Sequence, residues 1–441
     1  MNRLIVVAGL VLAAWLAAPA SAAATGPAPD TATPIRHLVV LMQSNHSFDN
    51  YFGTYPGADG IPADTCLAPR LDRPNAESCV RPFHLGNQPV PTLDHGLSTW
   101  KRQYDNGLMD GTVAAYRAIG LGTNSAMGYY DARDLPFYWA VARNYVLFDR
   151  FFSSARVGSR LNRFWWITGR STPGGLETLP THGYKQIPTI FDRLEAAGVS
   201  WKFYVQSYHK EVNYRSHIHG KYSGQTARVP LVDFPRFIHD SQLATHIVDL
   251  SQYYIDLARG RLPAVAFMAS SQSSENPPGS VQVGQRLVRR LTTALVMNRV
   301  WRSSAFMWTY DGWGGWYDHV RPPKGYGFRV PALLMSPYAK RGQVNHTVLD
   351  YTSILRFIES NWHLQPLAMR DAHSPGLNSA FNFTARPRPA RLVGATFISD
   401  VSGHRSSPVV IAIYLAAMAF AAGMVAWSWL TRVREEEVSG H

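Results

Sequence analysis

The stretch Ile35–Met42, with the sequence IRHLVVLM, indicates the fold class of this chain. A continuous apolar run of this length is typical of a strand that is covered on both faces, as in a parallel sheet. Further runs of the same character lie at Ser200–Val205, Ala264–Ala269, Ala305–Tyr310 and Val330–Met335. Helical stretches at Gln285–Met297 and Thr352–Trp362 alternate with them. The alternation predicts an α/β fold with a mostly parallel sheet flanked by helices.

Polar residues follow two of these runs directly. Ser44, Asn45 and His46 come after the first run, and Asp311 comes after Ala305–Tyr310. In open α/β sheets, ligands bind at the carboxyl ends of the strands. We therefore expect these side chains to lie together at one edge of the sheet and to form a site.

Composition and charge restrict the possible partners. Of the 441 residues, 46% are hydrophobic and 17% are charged, which excludes intrinsic disorder as the main state. The net charge of +13 favours anionic partners, which include nucleic acid, anionic lipid and phosphorylated small molecules. The basic run Arg286–Arg290 is interpreted as a solvated helix face. We expect no nucleic-acid binding, because no recognised binding fold accompanies that run.

The amino terminus has the pattern of an export signal. Arg3 precedes the apolar run Leu4–Ala18, and the small residues Ala20–Ala22 follow, as a signal peptidase requires. We expect residues 1–22 to be a cleaved signal peptide. A transmembrane helix is the alternative, although the run is short for a span of about 20 residues.

The segment Pro408–Leu430 predicts a transmembrane helix. It carries no charge, and it has Trp427 and Trp429 near its end, as interfacial aromatic residues do. We expect this helix to hold the body at the cell membrane as a single-pass anchor, with the body outside and residues 431–441 in the cytoplasm.

The two cysteines, Cys66 and Cys79, predict one local disulfide in an oxidising compartment. Zinc–thiolate sites need more cysteines than this.

The polar cluster after the first run opens a series of recognisable motifs. Ser44–Gly53, with the sequence SNHSFDNYFG, resembles the motif QENRSFDHYFG of the bacterial phospholipase C and acid phosphatase family of phosphoesterases. Other segments resemble that family in the same order: Met109–Gly111, Met127–Tyr130, Asp134–Tyr138, Val157–Arg163, Tyr310–Asp311 with Gly314 and Gly315, Asp318–Val320 and Thr352–Phe357. The resemblance implies an alkaline-phosphatase-like α/β fold and hydrolysis of phosphate esters or phospholipid head groups by a hydroxyl nucleophile. It places a phosphoesterase domain at 35–385, between a linker at 23–34 and a juxtamembrane stalk at 386–407.

The resemblance also implies roles for individual residues. Ser159 matches the nucleophile, and Asn45 and Asp311 match residues that bind a metal ion or phosphate. A divalent cation held by such oxygen ligands would activate the hydroxyl. The segments that match further imply phosphate contacts from His95, Asn162 and Arg163, and they imply that Asp318 and His319 orient the loop after the strand.

Taken singly, several of these residues have simpler interpretations. Ser159 could be a helix N-cap after Gly158, and Asp311 a solvated turn residue. Asn45 could form an Asx-turn. His95 could be a structural histidine.

The chain departs from the family at positions that matter for chemistry. Ser44 stands where the family has Glu, and Gly312 where it has the second acid of an acidic pair. Three family histidines are replaced, by Asn276, Trp313 and Tyr351. A divalent metal ion therefore has an incomplete ligand set. His46, which replaces an arginine of the family, is a possible substitute ligand or base, and a surface hydrogen-bonding role is the alternative. The departures keep open a second function, a non-catalytic relative that binds phosphate or a glycan or serves in assembly.

Overall fold

The computed structural model describes residues 30–393, apart from 73–78, 89, 122–123, 176, 178 and 219–223. The expected signal peptide at 1–22 and the expected membrane helix at 408–430 lie outside the described residues. Within the described part of the chain, no helix is both long enough and apolar enough to cross a membrane.

The core of the molecule is an eight-stranded sheet. The strands of the described chain are β1 (His37–Gln43), β2 (Phe83–His84), β3 (Gly128–Tyr129), β4 (Val146–Phe148), β5 (Trp201–Val205), β6 (Ile247–Asp249), β7 (Val265–Ala269), β8 (Ser304–Tyr310), β9 (Ala332–Met335) and β10 (Gln343–Asn345). The order in the main sheet is β10-β4-β9-β8-β1-β7-β5-β6. β2 and β3 form a separate parallel pair. In the main sheet, β9 runs antiparallel to β8 and β4, and the other pairs are parallel. The predicted mostly parallel α/β fold is confirmed.

The position of β1 explains its uninterrupted apolar sequence. Leu38 pairs with Val265 of β7 on one side and with Ala305 of β8 on the other. Every residue from Leu38 to Gln43 is buried, so no position on this strand alternates toward solvent. Each of the five predicted strands is present, with small shifts at its ends. The three-residue strands β4, β6 and β10 were not predicted, because so few residues show no periodicity.

Helices surround this sheet. They are α1 (Phe48–Phe52), α2 (Leu97–Tyr104), α3 (Thr112–Ala118), α4 (Pro136–Asn144), α5 (Ser159–Thr168), α6 (Ile190–Ala196), α7 (Tyr214–Ile218), α8 (Gly224–Arg228), α9 (Pro235–His239), α10 (Ser251–Ala258), α11 (Val281–Val296), α12 (Tyr351–Asn361) and α13 (Met369–His373). The two predicted helices correspond to α11, which begins earlier than expected, and α12. Asp350 caps α12 by accepting a hydrogen bond from the backbone N–H of Thr352.

The predicted disulfide is present. Cys66 and Cys79 are bonded, with their Cα atoms 5.3 Å apart. The bond lies beside a short antiparallel bridge between Leu67 and Val80, which joins the same two segments of the chain.

Candidate active site

The carboxyl ends of β1 and β8 bring together the polar residues that follow them. Gln43 is in register with Tyr310, so the next residues of both strands leave the sheet side by side. The backbone N–H of Asn45 donates to Oδ1 of Asp311 at 3.2 Å, and the hydroxyl of Ser44 donates to Oδ2 at 3.2 Å. The expectation that these residues meet at one sheet edge is therefore met.

A cavity of about 890 Å³ opens above this edge, and we call it the Ser159 cavity. Five of its lining residues were singled out from the sequence: Ser44, Asn45, His95, Ser159 and Asp311. Its other charged residues, Asp94, Arg160, Glu177 and Arg228, were not, and Asn276 was noted only as the replacement of a family histidine. The cavity thus combines three serine hydroxyls, three carboxylates and two guanidinium groups.

Ser159 is the first helical residue of α5. The N-cap is Gly158, with φ +90°, and no side chain caps this end of the helix. The interpretation of Ser159 as an N-cap is therefore wrong, and its hydroxyl is not used to hold the helix. Glycine is required at 158 because a side chain would be strained at this φ and would collide with the carboxylate of Glu177.

Glu177 occupies the amino-terminal end of α5. Its Oε1 accepts a hydrogen bond from the backbone N–H of Leu161 at 3.3 Å. The first N–H groups of a helix and its dipole attract anions, and this is where the sequence places a substrate phosphate. In this structure a carboxylate of the protein itself takes that position. The sequence contains no signal for it, because Glu177 lies in an irregular glycine- and proline-containing loop.

Arg163 and Asn162 lie behind the cavity lining. Arg163 donates through Nε to Oδ2 of Asp311 at 2.9 Å, and its remaining donors contact the hydroxyl of Ser44 and the carbonyl oxygens of Met42, Gln43 and Arg228. Oδ1 of Asn162 accepts from the backbone N–H of Ala155 at 2.7 Å. Both side chains are buried and neither lines the cavity, so the structure does not place them as the phosphate contacts that the resemblance implied.

The Ser159 cavity does not provide a ligand set for a divalent cation. The carboxylate of Asp311 accepts from Arg163, Ser44 and Asn45, so its charge is paired and most of its lone pairs are used within the protein. The side-chain amide of Asn45 donates to Oδ1 of Asn276 at 2.8 Å. Among the described residues, two groups of acidic and histidine side chains are close enough to hold a cation, and neither lines this cavity.

One of those groups contains Asp318 and His319. Nδ1 of His319 lies 2.7 Å from Oδ2 of Asp49, and Arg329 donates to Asp49 and to Asp318 at 2.9 Å each. These contacts hold the loop after β8 against α1, which is the positioning role that the sequence suggested. The other group is His84 with Asp131 and Asp134, in which Nε2 of His84 lies 2.6 Å from Oδ2 of Asp134.

His46 does not reach the cavity. Its Nδ1 lies 2.7 Å from Oδ1 of Asn50, and its Nε2 lies 2.9 Å from the carbonyl oxygen of Glu275. Burial lowers the pKa of His46 to about 4. Since both nitrogens are occupied and the side chain is fully buried, neither the substitute-ligand nor the surface interpretation holds.

Glu275 was not predicted and lies directly beneath the cavity. Its carboxylate accepts hydrogen bonds from the hydroxyls of Tyr51, Tyr138 and Tyr310 and from the amide of Gln43. Burial raises the pKa of Glu275 to about 7, although these donors act against the increase. Its partners come from distant segments of the chain, so no local pattern could have indicated it.

The departures from the family motif are accommodated without strain. Gly312 has no positive φ, and a Cβ there would lie 3.8 Å from Oδ1 of Asn45 and 3.9 Å from Nδ2 of Asn162. The positive φ values belong to Gly314 and Gly315. All three residues that replace family histidines make internal hydrogen bonds: Asn276 accepts from Asn45, Nε1 of Trp313 donates to Gln103, and the hydroxyl of Tyr351 donates to the carbonyl of Tyr310.

Comparisons with known proteins agree with these motifs. A family model described as "Phosphoesterase family" matches residues 35–365. Phospholipase C B of Mycobacterium tuberculosis (strain ATCC 25618 / H37Rv) is 28% identical, over 83% of this chain and 81% of its own length. A non-hemolytic phospholipase C of Pseudomonas aeruginosa is 27% identical, over 79% of this chain and 57% of its own. Among solved structures, a protein in the alkaline phosphatase superfamily from Vibrio parahaemolyticus aligns with a TM-score of 0.38 and 11% identity, over 76% of this chain and 68% of that one.

Proposed function

Because this chain belongs to the phosphoesterase family, we propose that it hydrolyses phosphate esters in the Ser159 cavity, with phospholipid head groups as the substrate class. The position of Ser159 carries the proposal. It opens α5 at the cavity with a hydroxyl that makes no capping bond, and Arg160 and Arg228 lie in the same lining. The phospholipases C among the relatives supply the substrate class.

In the proposed reaction, Oγ of Ser159 attacks the phosphorus of the ester. A bond forms between this oxygen and phosphorus, the P–O bond to the alcohol breaks, and the departing alcohol takes up the proton that the hydroxyl of Ser159 loses. Water then attacks the phosphoserine and releases phosphate or a phosphomonoester. No step depends on a metal ion, because Asp311 is already paired with Arg163.

The anionic phosphoryl group needs positive partners in the cavity. Nδ1 of His95 donates to the carbonyl oxygen of Leu93 at 2.8 Å, and in the imidazolium form Nε2 carries a second N–H that can donate to a phosphoryl oxygen. Arg228 and the first N–H groups of α5 provide further donors. Asp311 and Asn45 fix the turn at the end of β1 and so orient the floor of the cavity.

The nucleophile is tested with p-nitrophenyl phosphorylcholine and p-nitrophenyl phosphate as substrates. Ser159→Ala should lower kcat/KM by about a thousandfold or more, because the covalent route is lost, while the fold is retained. Ser280→Ala is the matched control, since Ser280 precedes α11 and also makes no capping bond. If the wild type is active and Ser159→Ala is equally active, the assigned nucleophile is wrong.

A second function is a phosphate- or glycan-binding protein that does not cleave its ligand. Ser44 and Gly312, which stand in place of two carboxylates, favour it. It predicts a wild type that is inert toward both esters and binds inorganic phosphate in calorimetry.

We also propose that the body is exported and anchored by Pro408–Leu430. The uncharged segment and the signal-like amino terminus support this proposal, and the disulfide is compatible with an oxidising compartment. A chain that ends at Arg405 should leave the membrane fraction, and retention after a salt wash would rule out this anchor.

A further inference from the structure

A second large cavity, separate from the Ser159 cavity, lies between α10 and α11. We call it the α10–α11 groove. It has a volume of about 1020 Å³, comparable with the roughly 300–1,000 Å³ of small-molecule sites. It shares no lining residue with the Ser159 cavity. The two lie near each other, because Gln206 of the groove accepts a hydrogen bond from the backbone N–H of Ser271, and the hydroxyl of Ser271 accepts one from Arg228 of the Ser159 cavity.

The groove has an apolar part and a basic part. The apolar part consists of Leu250, Leu287, Ala294, Leu392 and Val393. The basic part consists of Arg286, Arg289 and Arg290, which share one face of α11 because residues three and four apart are neighbours on a helix. This is the run that the sequence suggested to be a solvated face. In the fold Arg286 and Arg290 are exposed, as that suggestion requires, and the run also borders an apolar surface.

The three guanidinium groups have no ion-pair or hydrogen-bond partner among the residues that the structure describes. Like charges at this spacing repel one another, and an anion between them would relieve the repulsion. Tyr254 also lines the groove. Burial raises the pKa of its hydroxyl, and the charge of Arg290 partly offsets the increase. The one acid of the lining, Asp249, accepts backbone N–H groups from Ser251 and Tyr208 through its two oxygens.

We infer that the α10–α11 groove binds one anionic lipid. The phosphate-type head group is held by the arginines, and an acyl chain lies along the apolar residues. Guanidinium groups bind phosphate oxygens in a bidentate manner, and the adjacent apolar surface gains from contact with a chain. The sequence after the groove supports a lipid: Leu392 and Val393 form part of the lining, and the uncharged segment Pro408–Leu430 comes 15 residues later in the sequence.

The test uses the full chain in a nonionic detergent and native mass spectrometry. The probe is hexadecylphosphonate, which has no P–O–C bond and so cannot be consumed as an ester. We expect one phosphonate per chain in the groove, in addition to any bound in the Ser159 cavity. Arg286→Gln with Arg290→Gln should reduce its occupancy about tenfold, since two charged contacts are lost. Arg299→Gln with Arg302→Gln, which removes two exposed arginines outside the groove, should leave it unchanged.

Two further probes separate a lipid from its parts. Hexadecyl maltoside offers the chain without the charge, and methylphosphonate offers the head group without the chain. The inference requires that neither displaces hexadecylphosphonate at equal concentration. Displacement by methylphosphonate would mean a site for free anions, and displacement by the maltoside a merely apolar groove. Equal phosphonate binding by the wild type and the Arg286/Arg290 variant would place the ligand elsewhere and overturn the inference. Because none of these probes is a substrate, the result does not depend on whether the Ser159 cavity is catalytic.

Discussion

Arg163 donates through Nε to Oδ2 of Asp311 at 2.9 Å, and the two side chains are 0% and 1% exposed. Removal of two charges from water is costly, and the cost is offset here by their mutual attraction and by the hydrogen bonds that each makes to the end of β1. The pair thus stabilises the floor of the Ser159 cavity. Within the pair, Arg163 provides the positive charge that faces Asp311.

The first prediction concerns the stability of this pair. Asp311→Ala should lower the free energy of unfolding by about 3–5 kcal/mol, because it leaves the charge of Arg163 buried without compensation. Urea unfolding measures the change. Asp72→Ala is the control and should have no measurable effect, since Asp72 and its partner Arg70 are 64% and 50% exposed. An unchanged stability of Asp311→Ala would mean that the carbonyl contacts of Arg163 suffice.

The second prediction restores the family's acids. Ser44→Glu with Gly312→Asp should create a site for a divalent cation, because position 312 is open toward Oδ1 of Asn45 and two carboxylates supply charge and oxygens. Calorimetry with Mn²⁺ and metal analysis after dialysis measure the gain. Ser44→Gln with Gly312→Asn, which has the same shape and no added charge, is the control. If the acidic and the amide variants bind metal equally, the missing carboxylates are not what limits affinity.

The third prediction concerns Glu177. Since its carboxylate occupies the end of α5, a phosphate must displace it, and Glu177→Gln should lower the inhibition constant of inorganic phosphate by about tenfold through loss of a competing charge. Glu211→Gln, at an exposed position outside the cavity, is the control. A collapse of kcat with an unchanged inhibition constant would instead make Glu177 a participant in the chemistry.

The fourth prediction concerns pH. The folded state raises the pKa of Glu275 to about 7 from 4.5. Between pH 4.5 and about pH 7, the carboxyl group of Glu275 keeps its proton in the folded state but has lost it in the unfolded state. Glu275 therefore makes the protein less stable as the pH rises through this range. Glu275→Gln should remove this dependence, so that its stability relative to the wild type rises by up to about 3 kcal/mol between pH 4 and pH 8. Urea unfolding at both pH values measures it, and a parallel response of the two proteins would contradict the assignment.

The sequence by itself determined the sheet and the location of the site. The runs that became β1 and β8 are apolar at most positions, without polar alternation, because both faces of a central strand are buried, and this is a local property that a sequence displays. The polar residues directly after them had to meet, since parallel neighbours end at one edge. The cysteine pair and the ordered family motifs could also be recognised, because each is a local pattern of residues in the sequence.

Only the tertiary structure decided what each side chain does. Arg163 is bonded to Asp311, 148 positions away, and Glu275 is held by Tyr51, 224 positions away. Such contacts leave no periodicity in the sequence. Arg163 could therefore be named from its motif, but its position behind the cavity could not be predicted. The position of Glu177 and the α10–α11 groove could not be predicted either. The orientation and the charge state of a buried side chain depend on which distant donors and acceptors surround it. These groups are brought together only when the chain has folded.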